Sequence, residues 1–157
     1  MEANIGIKQE LLAKEAYELA KILADEFLLY TKTRNAHWNV EGSDFHSVHK
    51  FFESQYELLD EAMDDVAERI RFLGHYAPAT LKEFLKLTKL TEQFREANTS
   101  LSFMKELLSD HETIIIHLRE NINVFVNDYQ DAGSSDFITG LMEKHEKMAW
   151  MLRAHLK

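Results

Sequence analysis

Asn35 to Arg69 reads NAHWNVEGSDFHSVHKFFESQYELLDEAMDDVAER, and the spacing of its apolar residues decides the fold. Phe45, Val48, Phe52, Tyr56, Leu59, Met63 and Val66, continued by Ile70 and Leu73, recur in steps of three and four. That is the period of an amphipathic helix with one face buried in a bundle. Beside this stripe runs a second one, His49, Glu53, Asp60, Asp64 and Glu68, made of imidazole and carboxylate. His37 lies just upstream, next to Trp38. Imidazole and carboxylate without thiolate form a ligand set for iron or zinc.

Helix geometry constrains how these groups act. His49 and Glu53 stand one turn apart on one face, as do Asp64 and Glu68. The step from His49 to Asp64 is fifteen residues, about 22 Å along a helix axis. The two pairs therefore cannot close on one ion within one chain. A second copy, antiparallel across a two-fold axis near Leu58 and Leu59, brings His49 of one subunit towards Asp64 and Glu68 of the other. Such an isologous contact makes two equivalent sites per dimer.

Composition narrows the class. The 157 residues are expected to form one domain, 1–157, long enough for a sizeable core. One proline, five glycines and 45% hydrophobic residues favour a helical globule. No apolar run reaches membrane-spanning length, and the polar start MEANIGIKQE is no signal peptide. The absence of cysteine excludes disulfides and thiolate metal sites and fits a cytoplasmic protein. A net charge of −9 disfavours a general nucleic-acid surface and suits cation recruitment.

In chain order, residues 7–36 are expected to form a first helix with Leu12, Ala16, Leu19, Leu23 and Phe27 inward, and His37 and Trp38 at its end. Glu41-Gly42-Ser43 makes a turn, and Ser43 or Asp44 caps a second helix running to Leu73. Gly74-His75-Tyr76-Ala77-Pro78 breaks it. Thr80-Leu81-Lys82-Glu83 reads as a capping box opening a short helix, TLKEFLKL. The next long helix spans 98–127 with Leu101, Met104, Leu108, Ile115, Leu118, Ile122 and Phe125 inward. After the break at 128–134, Ser134 or Ser135 caps a last helix through Leu141, Met148, Ala149 and Leu152. Trp150, His111 and His145 read as packing residues. The expected fold is all-α: an up-down-down-up, ferritin-like four-helix bundle with a short extra helix in the connection between helices two and three.

The pattern H-W-N-V-x-G-x-x-F-x-x-x-H, followed by D-D-V-A-E-R and by TLKEFL, resembles the Dps family of mini-ferritins (DNA-binding protein from starved cells). The resemblance covers nearly the whole chain. It implies that His37 and His49 are ligands from one subunit and Asp64 and Glu68 ligands from its two-fold partner. Glu53 falls where the family usually has aspartate, and Trp38 matches the tryptophan beside the iron site. A hollow homo-dodecamer is implied, oxidising Fe(II) at dinuclear sites, preferably with hydrogen peroxide, and storing ferric mineral inside. The nearby indole is implied as a source of an electron that two irons do not supply. Asp128, Asp131 and Asp136 fall where the family lines an acidic three-fold pore.

Two other functions compete. A di-iron enzyme with its site inside one bundle carries Glu-x-x-His pairs, and no glutamate here has a histidine three residues later. A nucleoid protein that binds DNA through its tails needs several cations in reach of phosphate. This N-terminus sets Lys8 and Lys14 against Glu2, Glu10 and Glu15, and the last cations are Arg153 and Lys157. DNA binding through tails is not expected.

Overall fold

The computed structural model describes residues 3–157, so Glu2 lies outside the described residues. Five helices follow in order: α1 (Gln9–Asn39), α2 (Phe45–Phe72), α3 (Leu81–Leu87), α4 (Ser100–Asn127) and α5 (Ala132–Ala154). The four long ones form the expected bundle, with α1 packed on α2, α4 on α5, and α1 also against α4 and α3. Phe52, Leu59, Val66, Phe103, Leu118, Phe125, Ile138 and Leu152 are fully buried at its centre. Each contributes roughly 1.5–3 kcal/mol by leaving water.

The inward faces mostly follow the spacing, and the departures have local causes. On α4 the buried series is Phe103, Met104, Leu107, Ile114, Leu118 and Phe125, so Leu101 falls off the stripe and is 52% exposed. Trp150 corrects the expectation of a core residue. It lies off the buried Leu141, Met148 and Leu152 line and is 61% exposed. The α5 cap is Asp131 rather than Ser134 or Ser135: its carboxylate accepts from the backbone N–H of Gly133 and Ser134 at 2.8 and 3.1 Å. Both serines are buried inside the first turn instead. At α3, Thr80 accepts from the Glu83 N–H and its hydroxyl donates to the Glu83 carboxylate.

The interior also holds charge that an apolar pattern does not announce. His145 Nε2 meets Glu26 Oε1 at 2.7 Å, and His145 Nδ1 meets His111 Nδ1 at 2.9 Å, all fully buried. Burial, with His145 adding to it, holds the His111 imidazole well below its usual range. A second network fastens the long connection to the bundle. Asp25 accepts from the Thr88 hydroxyl and the Lys89 N–H, both at 2.7 Å. Buried Lys32 donates to the Thr91 carbonyl at 2.7 Å and pairs with Asp110 at 2.6 Å. Glu106 accepts from the Phe94 N–H and from Arg95 at 2.7 and 2.8 Å.

Glu15, fully buried on α1, sits against the Asp131, Ser134 and Arg69 group at the start of α5. Burial pushes its carboxyl up to about 7, and the neighbouring Asp131 charge adds to the rise. The folded state therefore holds the proton more tightly than the unfolded chain. Stability from this group is full below the ordinary carboxyl range and declines as pH rises from about 4.5 to about 7. Glu15→Gln is expected to flatten the fall in melting temperature between pH 5 and 8. Matched thermal melts check this, and an unchanged slope in the variant refutes it.

Candidate metal centre

The centre is built where α1 ends and α2 begins. The Val40 N–H closes on the Ala36 carbonyl, and the Glu41 N–H is tied to the Asn98 carbonyl at 3.1 Å. Gly42 then takes a φ of +139°, a left-handed backbone that favours glycine. A Cβ there would also meet the Asp44 carboxylate at 3.1 Å. This tight turn folds α2 back so that His49, one turn into it, lies against His37 in the last turn of α1.

The two imidazoles are stacked, with centroids 3.8 Å apart and planes 19° from parallel. Each is hydrogen-bonded to the other's backbone: His37 Nδ1 to the His49 carbonyl at 2.8 Å, and His49 Nδ1 to the His37 carbonyl at 2.7 Å. A carbonyl only accepts, so both Nδ1 atoms carry hydrogen. In the neutral rings both Nε2 atoms then hold free lone pairs. This is how metal-ligating histidines are oriented, with the other ring nitrogen donating to a fixed acceptor. The donor set thus fits a divalent ion.

Glu53 lies one turn beyond His49, half-buried. The Lys50 ammonium, hydrogen-bonded to it at 2.6 Å, holds its carboxyl below the usual range, and the two imidazoles add to the effect. Lys50 is largely exposed, so its ion pair with Glu53 is a weak, solvent-screened one. Asp64 and Glu68 are exposed further along α2. Among the described residues, no three His, Asp or Glu side chains gather closely enough to hold an ion. The chain brings His37 and His49 together, sets Glu53 one helical turn further on, and leaves Asp64 and Glu68 apart from them. Leu59 is fully buried in its own bundle, whereas Leu58 is exposed beside it.

Trp38 does not lie on the imidazole pair. It is 65% exposed and faces the Arg34 guanidinium at 5.3 Å. The ring against His37 is Tyr56, edge-on at 5.2 Å, and Phe45 flanks His49 at 5.0 Å. Spacing had placed Tyr56 and Phe45 only in the apolar stripe. Their positions, Phe45 one turn before His49 and Tyr56 two turns after it on the same face, were the available signal. Of the three turn aspartates, Asp128 and Asp136 are exposed, while Asp131 is committed to its cap and to Arg69 at 3.1 Å.

A ferritin-like domain model matches residues 17–157. The chain is 40% identical over 154 residues to an uncharacterized low temperature-induced protein of Nostoc, covering 98% of this chain and 86% of that one. It is 38% identical over 146 residues to a DNA protection during starvation protein of Helicobacter pylori, covering 90% and 99%. The Dps protein of Vibrio cholerae O1, described as a member of a broad superfamily of ferritin-like diiron-carboxylate proteins, superposes with a TM-score of 0.91 at 28% identity. That match covers 100% of this chain and 98% of the other. No helix among the described residues is long and apolar enough to cross a membrane.

Proposed function

We propose, on the premise that this chain belongs to the Dps family of mini-ferritins, that it oxidises Fe(II) at sites shared between two subunits and stores the ferric product in a hollow dodecamer. The observation that carries this reading is the locked imidazole pair, with both Nε2 atoms free. The acids Asp64 and Glu68 sit on the same helix about 22 Å away, where a two-fold partner supplies them to the opposite site. Iron enters as substrate. His37 and His49 hold Fe(II), while Glu53, Asp64 and Glu68 favour the harder Fe(III) that forms. Hydrogen peroxide is the oxidant in this reading, so iron and peroxide are consumed together in the cytoplasm without releasing hydroxyl radical. Trp38 stands ready to give one electron.

The site is complete only in the assembly, so activity is expected to follow the oligomer. Peroxide-driven Fe(II) oxidation, measured across fractions sized by light scattering, should coincide with the large species. A fully active monomer overturns the shared-site reading.

A further inference from the structure

We infer that Tyr56 is a second one-electron donor to the metal centre and that the oxidising equivalent comes to rest on the Tyr56–Tyr30 pair, with Arg34 steering it there. The inference rests on the iron-and-peroxide reading above. Reduction of hydrogen peroxide to water takes two electrons, and one Fe(II) supplies one. When a site holds a single iron, the other electron comes from the protein or hydroxyl radical escapes.

The rings around His37 form a short path for that electron. Tyr56 stands edge-on to His37, with centroids 5.2 Å apart and planes at 79°. Tyr30 stands edge-on to Tyr56 at 6.1 Å and 87°. The next ring, at 6.5 Å, is Phe27, which has no hydroxyl proton to release on oxidation, so the path of readily oxidised groups ends at Tyr30.

A single guanidinium faces all three electron-rich side chains. Arg34 Cζ lies 4.4 Å from the Tyr56 centroid, 5.3 Å from Trp38 and 5.5 Å from Tyr30. An indole that loses an electron first becomes a cation, placed here beside a permanent cation. A phenol loses its proton with the electron and stays neutral, so Arg34 sets no charge against it. The hole therefore leaves Trp38 for Tyr56. Tyr56 is also half-buried between His37 and Arg34, whereas Trp38 is largely exposed in the single chain.

The step balances as H2O2 + Fe(II) + Tyr56–OH + H+ giving Fe(III) + Tyr56–O• + 2 H2O. The O–O bond breaks, and iron and phenol are each oxidised by one electron. The phenolic proton and one from solvent complete the two waters.

The test uses the assembled protein with ring-deuterated tyrosine, one Fe(II) per shared site and one equivalent of peroxide, frozen rapidly for EPR. The expected signal is a tyrosyl radical narrowed by the label. It should be lost in Tyr56→Phe, with more hydroxyl radical caught by a spin trap. In Arg34→Gln the signal should shift from tyrosyl to tryptophanyl character. Iron oxidation is followed by absorbance in the same samples. If wild-type protein oxidises iron but shows only an indole radical, or none, the tyrosine inference alone fails. A tyrosyl signal that persists unchanged in Tyr56→Phe fails it as well. If wild-type protein binds and oxidises no Fe(II), the iron-site reading fails and takes this inference with it.

Discussion

On the shared-site proposal, shells assembled from mixed His49→Ala and Glu68→Ala subunits are expected to recover about a quarter of wild-type activity, with neither variant expected to be active alone. At a two-fold contact between one subunit of each kind, one site collects both lesions and the other collects neither. Random mixing makes about half of the contacts heteromeric, and half of the sites at those contacts are intact. Both substitutions remove groups at least partly exposed in the single chain, so the bundle itself should persist. The measurement is peroxide-driven Fe(II) oxidation by shells unfolded together, refolded and sized. A correctly assembled mixed shell as inactive as either parent would place all the ligands in one chain, or show that they are not ligands.

The second large effect concerns stability. Lys32 is almost wholly buried, and its ammonium is shared between Asp110 at 2.6 Å, the Thr91 carbonyl at 2.7 Å and Glu106 at 3.6 Å. Even with this partner, burial raises the Asp110 carboxyl to about 6, so the charge is already held at a cost. Lys32→Ala strands Asp110, and loss of one member of a buried pair typically costs about 3–5 kcal/mol. For a chain of this size the melting temperature should fall by on the order of 10 °C. Replacing both members, as in Lys32→Met with Asp110→Leu, should cost far less, because no unpaired charge then remains. Melts at equal protein concentration decide between these outcomes. A Lys32→Ala variant as stable as the double variant would show that Asp110 needs no partner.

How much of this was legible depended on whether a signal lay along one helix or across several. The spans of α1, α2 and α4 follow from spacing alone, and Thr80 was readable as the α3 cap because its partner Glu83 is three residues away. His37 and His49 stood out because a turn of known residue type separates them. Their mutual hydrogen bonds, which fix both rings with Nδ1 donating, depend on how that turn closes. The buried charges were invisible for the same reason. Glu15 and Glu26 fall on the same inward spacing as Leu12, Leu19, Ile22 and Leu29. An acid in an apolar stripe reads as an interruption until Ser134, Asp131 or His145 arrives from α5. Leu101 and Trp150 were misplaced by a fraction of a helical turn, an error that periodicity tolerates and burial does not.

The charged clamp on the long connection also bears on how the chain reaches its fold. The α1–α2 and α4–α5 pairs are each joined by a short turn, so each hairpin can close early and locally. Bringing the hairpins together closes a far longer loop, which costs additional chain entropy. Asp25 and Lys32 on the first hairpin find their partners on the connection and on α4 only when the two halves meet in the native register. A rotated or shifted encounter would bury the same charges without partners, at a penalty no generic apolar contact offsets. The clamp thus favours the native docking of the two hairpins over a misjoined one, because only the native register gives these buried charges their partners.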